Sequence, residues 1–146
     1  MFLVDTNIWL ELLLDQENAA EVRRFVDAHE TSELAITEFS LYSIGIILTH
    51  LKKHEVFTDF LTDTLERSRL RLIRLDLAGL KGIMAVQHRF GLDFDDAYQY
   101  VATSQDNLTL VSFDRDFDRT DLRRKTPAEA SAPARARHIS TEEVTT

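Results

Sequence analysis

The sequence predicts an α/β fold, a mostly parallel sheet sandwiched between helices. Three observations carry this expectation. Short runs rich in apolar residues recur along the chain, at Phe2-Leu3-Val4, Leu34-Ala35-Ile36, Leu70–Leu75 and Leu108–Phe113, as strands buried on both faces do. Between successive runs lie stretches with helical spacing of apolar residues, long enough to cross back over a sheet. Carboxylates stand where these runs end or where the next helix begins. In a parallel sheet those positions share one edge, the edge where ligands bind.

In chain order, Phe2-Leu3-Val4 reads as a central strand and runs into Asp5-Thr6-Asn7. Ile8 to Leu14 is then helical, with Ile8, Trp9, Leu12 and Leu13 inward; Asp5 and Asn7 are both residue types that cap helices. Glu17 to Glu30 is a charged amphipathic helix that buries Ala20, Val22, Phe25 and Val26. After the strand Leu34-Ala35-Ile36, Thr37 is placed to cap the next helix, and Glu38 falls in its first turn. Phe39 to Leu51 is apolar nearly all round, which suits a core helix or an interface, and Gly45 in its middle allows close approach of a neighbour. His50 and His54 mark polar helix ends. Val56 to Ser68 is helical, with Phe57, Phe60, Leu61 and Leu65 inward.

Leu70, Leu72, Ile73 and Leu75 mark the third strand, threaded by Arg71 and Arg74, and Asp76 is positioned to cap a helix over Leu77–Phe90. Leu77, Leu80, Ile83, Met84 and Val86 are that helix's expected apolar side. A further helix follows Asp93, Asp95 and Asp96, with Ala97, Tyr100, Val101 and Ser104 on one face. Asp106-Asn107 breaks it, and the strand Leu108–Phe113 leads into Asp114, Asp116 and Asp118. From Thr126 an Ala/Pro/Ser-rich segment shows no apolar period. The chain therefore divides into a domain over 1–125 and an extended arm or disordered tail over 126–146.

The 146 residues are most economically one domain with its own core, and their 44% hydrophobic and 29% charged content is that of an ordinary soluble globule. With no cysteine, disulfides, thiolate zinc sites and cysteine nucleophiles are excluded. Leu41–Leu51 is too short and too interrupted by polar residues to span a bilayer, and no signal-like segment opens the chain, so the expected location is the cytoplasm. The net charge of -8 argues against holding nucleic acid by bulk electrostatics. It is compatible with an enzyme that binds a cation between carboxylates.

Each acid alone is explained by helix capping or the helix dipole. Together, Asp5, Glu38, Asp96 and Asp114 converge on one sheet edge. Two unit charges about 4 Å apart repel by about 4 kcal/mol at an effective dielectric of about 20. A domain's whole stability is about 5–15 kcal/mol. Such a cluster needs protons, basic partners or a cation, and an all-oxygen donor set suits Mg²⁺ or Mn²⁺.

Val4-Asp5-Thr6-Asn7, Thr37-Glu38-Phe39, Asp96-Ala97 and Leu110–Phe117, in this order and spacing, resemble the motifs of PIN-domain nucleases, toxin-like (VapC-like) members especially. The resemblance covers roughly residues 1–120. It implies a PIN-like three-layer α/β/α sandwich and metal-dependent hydrolysis of RNA phosphodiesters by activated water. By the same resemblance, Asp5, Glu38, Asp96 and Asp114 are metal ligands and Asp116 is an auxiliary acid. Thr6, Asn7 and Ser112 are placed to orient ligands or water, and Arg115 and Arg119 to contact phosphates. Ser112 stands where threonine is usual, and Asp93 and Asp95 crowd the third acid; Asp96 is preferred because it directly precedes the small Ala97.

The toxin-like members further imply a type II toxin–antitoxin system, with a homodimer and a small antitoxin as partners beside the RNA substrate. The alternative is a non-catalytic PIN-like module that binds RNA or protein. An aspartyl-phosphate hydrolase would carry a second Asp where this chain has Asn7, and phosphate-loop and dinucleotide-binding readings lack their glycine-rich loop.

Overall fold

The structure, a computed structural model, describes residues 1–131. Four short strands, β1 (Phe2–Val4), β2 (Leu34–Thr37), β3 (Arg71–Ile73) and β4 (Thr109–Val111), form one sheet in the order β3-β2-β1-β4. All three pairings are parallel. The chain thus starts in the middle of the sheet, builds outward to one side, and returns to β1's free edge with its last strand.

Alternation along the strands builds the layers. Val4, Leu34, Ile36 and Val111 enter one apolar cluster, while their neighbours Leu3, Ala35 and Leu110 enter another. A strand that must bury both faces can only be apolar throughout, as these are. Over the first face pack helices α1 (Thr6–Leu13), α2 (Ala19–Asp27), α3 (Glu38–His50) and α4 (His54–Leu61), through Ile8, Trp9, Val22, Phe25, Ile44 and Phe60. Over the second pack α5 (Leu77–Phe90) and α6 (Phe94–Gln105), through Ile83, Ala97, Tyr98 and Tyr100. This is the three-layer α/β/α sandwich that the apolar pattern predicts.

Local chemistry sets the helix ends. Asp5 Oδ1 accepts the Thr6 N–H, Thr37 Oγ1 accepts the Ser40 N–H and Asp76 Oδ1 accepts the Gly79 N–H, starting α1, α3 and α5. Gly91, at φ 66°, closes α5 in the left-handed conformation that glycine adopts at no steric cost. Gly45 lets α3 and α4 meet: a Cβ there would lie 2.8 Å from Phe57 Cζ.

Three expectations are corrected. Leu77, Leu80 and Met84 are not buried on α5 but 67%, 40% and 56% exposed, because α5 turns only Ile83 fully into the core. The helix expected to run from Val56 to Ser68 ends at Leu61 and passes into a π-turn over Thr62–Glu66. The segment after Lys125 is not an extended arm at its start. Lys125 bridges to Val111 at the sheet edge, and Pro127–Ser131 forms a short helix, α7, that buries Ala130 against α2. Its Ala130 carbonyl meets His29 Nε2 at 2.8 Å, and Glu21 accepts the Ala128 N–H at 3.0 Å. The rest of the expected tail lies outside the described residues. Among those residues, no helix is long and apolar enough to cross a membrane.

Candidate active site

Strand register delivers the first acid. Val4 pairs with Val111, so Asp5 and Ser112 emerge side by side from the carboxyl ends of β1 and β4. The Asp5 N–H donates to the Val111 carbonyl at 3.0 Å, tying the exit of β1 to the strand beside it. α6 contributes Asp96 in its first turn, and the 3₁₀ turn Arg115–Arg119 that follows β4 brings Asp114 and Asp116. A cleft of about 320 Å³ opens among them, with Asp5, Asp95, Asp96 and Asp114 on its acidic side and Leu10, Phe39 and Ile47 on its apolar side.

Asp96, Asp114 and Asp116 each offer a carboxylate oxygen within 4.8 Å of the others. Asp5 is 5% exposed and Asp96 8% exposed, so two of the cleft's acids are nearly dry. Asp5 is held by donors on both oxygens. Oδ1 takes the Thr6 N–H at 2.8 Å and Gln99 Nε2 at 2.9 Å; Oδ2 takes Ser112 Oγ at 2.6 Å and, more distantly, Asn7 Nδ2 at 3.5 Å. Asn7 also donates to Ser112 Oγ and accepts the Phe113 N–H, and Ser112 Oγ accepts the Asp114 N–H at 2.9 Å. Thr6 Oγ1 bonds Ser40 Oγ at 2.7 Å on the α3 side. Thr6, Asn7 and Ser112 therefore stand around Asp5 as supports.

Burial raises the Asp5 carboxyl above the ordinary range, against the lowering effect of its donors, and the Asp114 charge adds to the rise. Asp96 is pushed up to about 8, first by burial, then by its hydrogen bond with Asp114 and by the charges of Asp114, Asp95 and Asp5. Burial and the gathered charges both disfavour the fully ionised form of the cleft. That is the electrostatic signature of acids gathered for something other than salt bridges. The oxygen-only donors of Asp96, Asp114 and Asp116 fit a hard divalent ion in number and spacing.

Glu38 does not join them. Thr37 pairs with Ile73 in the sheet, so Glu38 and Arg74 emerge together from β2 and β3, and Glu38 Oε2 meets Arg74 Nε at 2.7 Å. Glu38 is absent from the cleft lining. Asp116 is also paired, with Arg119 at 3.1 Å, and Arg119 in turn donates to the Gly91 carbonyl. Arg115 is exposed beside Asp114. Asp93 and Asp95 are exposed, with Asp95 at the rim of the cleft.

The PIN domain family profile matches residues 2–122. The chain belongs to the PIN domain family. Among solved structures it is similar to the Mycobacterium tuberculosis VapC20, described as a sarcin-ricin loop cleaving toxin. The TM-score is 0.73 at 14% identity, covering 86% of this chain and 98% of that one. FitAcB from Neisseria gonorrhoeae superposes with a TM-score of 0.71 at 22% identity, over 87% of this chain and 98% of that one. A toxin–antitoxin complex from Klebsiella pneumoniae gives 0.65 at 17% identity, over 80% and 90%. At such identities these likenesses establish the fold. No curated relative matches the sequence.

Two buried residues that the sequence patterns do not single out support this PIN domain's cleft: Gln99, which lines it, and Ser40, bonded behind it to Thr6 and Gln99. Gln99 lies one turn after Asp96 on α6, so an amide on the acid's own helix face was the available signal. Ser40 gave none beyond its place three residues after the capping Thr37.

Proposed function

We propose that this PIN domain is a cytoplasmic, divalent-metal-dependent endoribonuclease, the toxin of a type II toxin–antitoxin pair. The observation that carries the reading is the Asp96–Asp114–Asp116 cluster, three ligand oxygens within 4.8 Å of one another beside the buried Asp5. Asp5, Asp96 and Asp114 are the proposed ligands of Mg²⁺, with Mn²⁺ an alternative, and Asp116 is the auxiliary acid. Glu38, which the family resemblance adds to the set, enters only when its pair with Arg74 opens.

A bound ion would lower the pKa of a coordinated water and offset charge on the scissile phosphate. The chain's own residues then have positional work. Ser112 and Asn7 fix the Asp5 carboxylate, and the Ser112 hydroxyl also anchors the backbone at Asp114. Thr6 lines the cleft. The exposed Arg115, which makes no ion pair among the described residues, is a candidate contact for an RNA phosphate, whereas Arg119 would first have to leave Asp116 and Gly91.

For the partners, a second apolar groove of about 310 Å³ lies along Trp9, Leu12, Val26, Val56 and Phe60, with Asp59 and Asp63 at its side. The buried Trp9 Nε1 has no hydrogen-bond partner among the described residues. We assign this groove to an antitoxin segment carrying apolar and basic residues. The exposed Leu77, Leu80 and Met84 on α5, with Tyr42 and Ile46 on α3, supply apolar surface for a homodimer.

A non-catalytic RNA- or protein-binding module is the competing reading, favoured by one observation: Glu38 and Asp116 already hold arginines. Incubating purified protein with RNA separates the two. Cleavage should require Mg²⁺ or Mn²⁺, stop with a chelator and be absent in Asp96→Asn. RNA left intact by wild type in both metals would reject the nuclease.

A further inference from the structure

We propose that Gln99 is a positioning residue that fixes the Asp5 carboxylate relative to Asp96; the inference rests on the metal site proposed above. Gln99 is 2% exposed, and each polar atom of its amide is used. Oε1 accepts Thr37 Oγ1 at 2.8 Å, and Nε2 donates to Asp5 Oδ1 at 2.9 Å and Ser40 Oγ at 3.0 Å.

The surrounding bonds dictate which way the amide faces. Thr37 Oγ1 accepts the Ser40 N–H, and its hydroxyl proton is free to donate to Oε1. The carboxylate of Asp5 can only accept, so Nε2 must face it. Turned over, the amide would set its oxygen against a carboxylate oxygen in a dry site.

The position of the amide is as telling as its bonds. Leu3 pairs with Ala35, so Asp5 and Thr37 lie at corresponding points where β1 and β2 leave the sheet, and Gln99 bridges the two. It does so from α6, one turn beyond Asp96. One neutral side chain therefore ties the first acid, the cap of α3 and the helix that carries Asp96 into a single frame. A glutamate here would add negative charge to the cluster. An apolar residue would leave Asp5 Oδ1 without its Nε2 donor and Thr37 without its acceptor.

A glutamine that merely satisfies a polar core would stabilise the fold without setting metal affinity, and a split between melting and Mn²⁺ binding tells the two apart. Full-length wild type, Gln99→Met and Thr37→Val are compared by thermal melting without metal and by calorimetric titration with Mn²⁺. Thr37→Val removes the far end of the same chain of bonds and spares the bond to Asp5. Gln99→Met should bind Mn²⁺ about 10–100-fold more weakly, as loss of a ligand's outer partner does. Thr37→Val should melt earlier yet bind Mn²⁺ like wild type. Should Gln99→Met fail to fold, Gln99→Asn, whose amide is one methylene short of Asp5, is expected to weaken binding in the same sense.

Wild-type affinity in the folded Gln99 variant overturns the proposal, and so does equal weakening in Thr37→Val. Absence of saturable Mn²⁺ binding in wild type itself removes the metal site and this proposal together, an outcome distinct from either.

Discussion

Two pairs of residues occupy matching places at the carboxyl edge of the sheet and have become different things. One residue beyond the register pair Val4–Val111 stand Asp5 and Ser112; one residue beyond Thr37–Ile73 stand Glu38 and Arg74. In both, parallel pairing brings an acid to the ligand-binding edge. Asp5 meets a hydroxyl, which orients it and adds no charge. Glu38 meets a guanidinium, which neutralises it, and the pair stays partly in water, with side chains 26% and 70% exposed. Strand register alone therefore delivers acids to an edge. Burial together with an uncharged partner leaves Asp5 without the countercharge that Glu38 has.

Substitutions at the two places give the sharpest test. Asp114→Asn, on the uncompensated side, should reduce Mn²⁺-dependent RNA cleavage to background, while Glu38→Gln should retain measurable activity. A Glu38→Gln variant as inactive as Asp114→Asn would break the contrast and mean that Glu38 leaves Arg74 to act.

Proton linkage gives an intermediate effect. Unfolded, Asp96 titrates at the ordinary carboxylate value of 3.8; folded, it titrates at about 8. Between these values the folded chain holds a proton that the unfolded chain has lost, so stability falls as pH rises through the window and levels off above it. The metal-free protein should melt several degrees lower near the top of that window than near its bottom. Saturating Mg²⁺ should shrink the difference. A melting curve independent of pH would show that the cleft acids are not coupled as their contacts indicate.

The smallest effect is expected at the other pair. Arg74→Ala should change stability by no more than about 1 kcal/mol, since a solvent-exposed ion pair contributes little. A loss well above that in urea unfolding would place the Glu38–Arg74 pair among the structural supports of the edge.

Much of this protein is written locally. Phe2-Leu3-Val4 and Leu34-Ala35-Ile36 are apolar at every position because the sheet has two covered faces, and that pattern is visible without coordinates. Thr37 and Asp76 cap their helices as their residue types and positions suggest. Gly45 sits where another helix presses close. The site was legible in part. Asp5, Asp96 and Asp114 line one cleft, as their places at strand and helix ends imply. The pairing of Glu38 with Arg74 was not legible, because a position at a helix start says nothing of the arginine that follows the next strand. Leu77, Leu80 and Met84 belong to the expected apolar side of α5 yet are exposed, because helical spacing fixes a stripe but not what lies opposite it.

The sequence by itself determined the alternation of strands and helices, the caps and the sheet edge at which the acids gather, since periodicity and capping act over a few residues. Tertiary structure alone decided the order β3-β2-β1-β4, the pairing of Glu38 with Arg74, the docking of Pro127–Ser131 on α2 and the clamp of Gln99 on Asp5. These depend on contacts between residues far apart in the chain, such as the hydrogen bonds joining Asp5 to Gln99 and Ser112. No local pattern encodes which neighbour a side chain will find once the sheet has assembled.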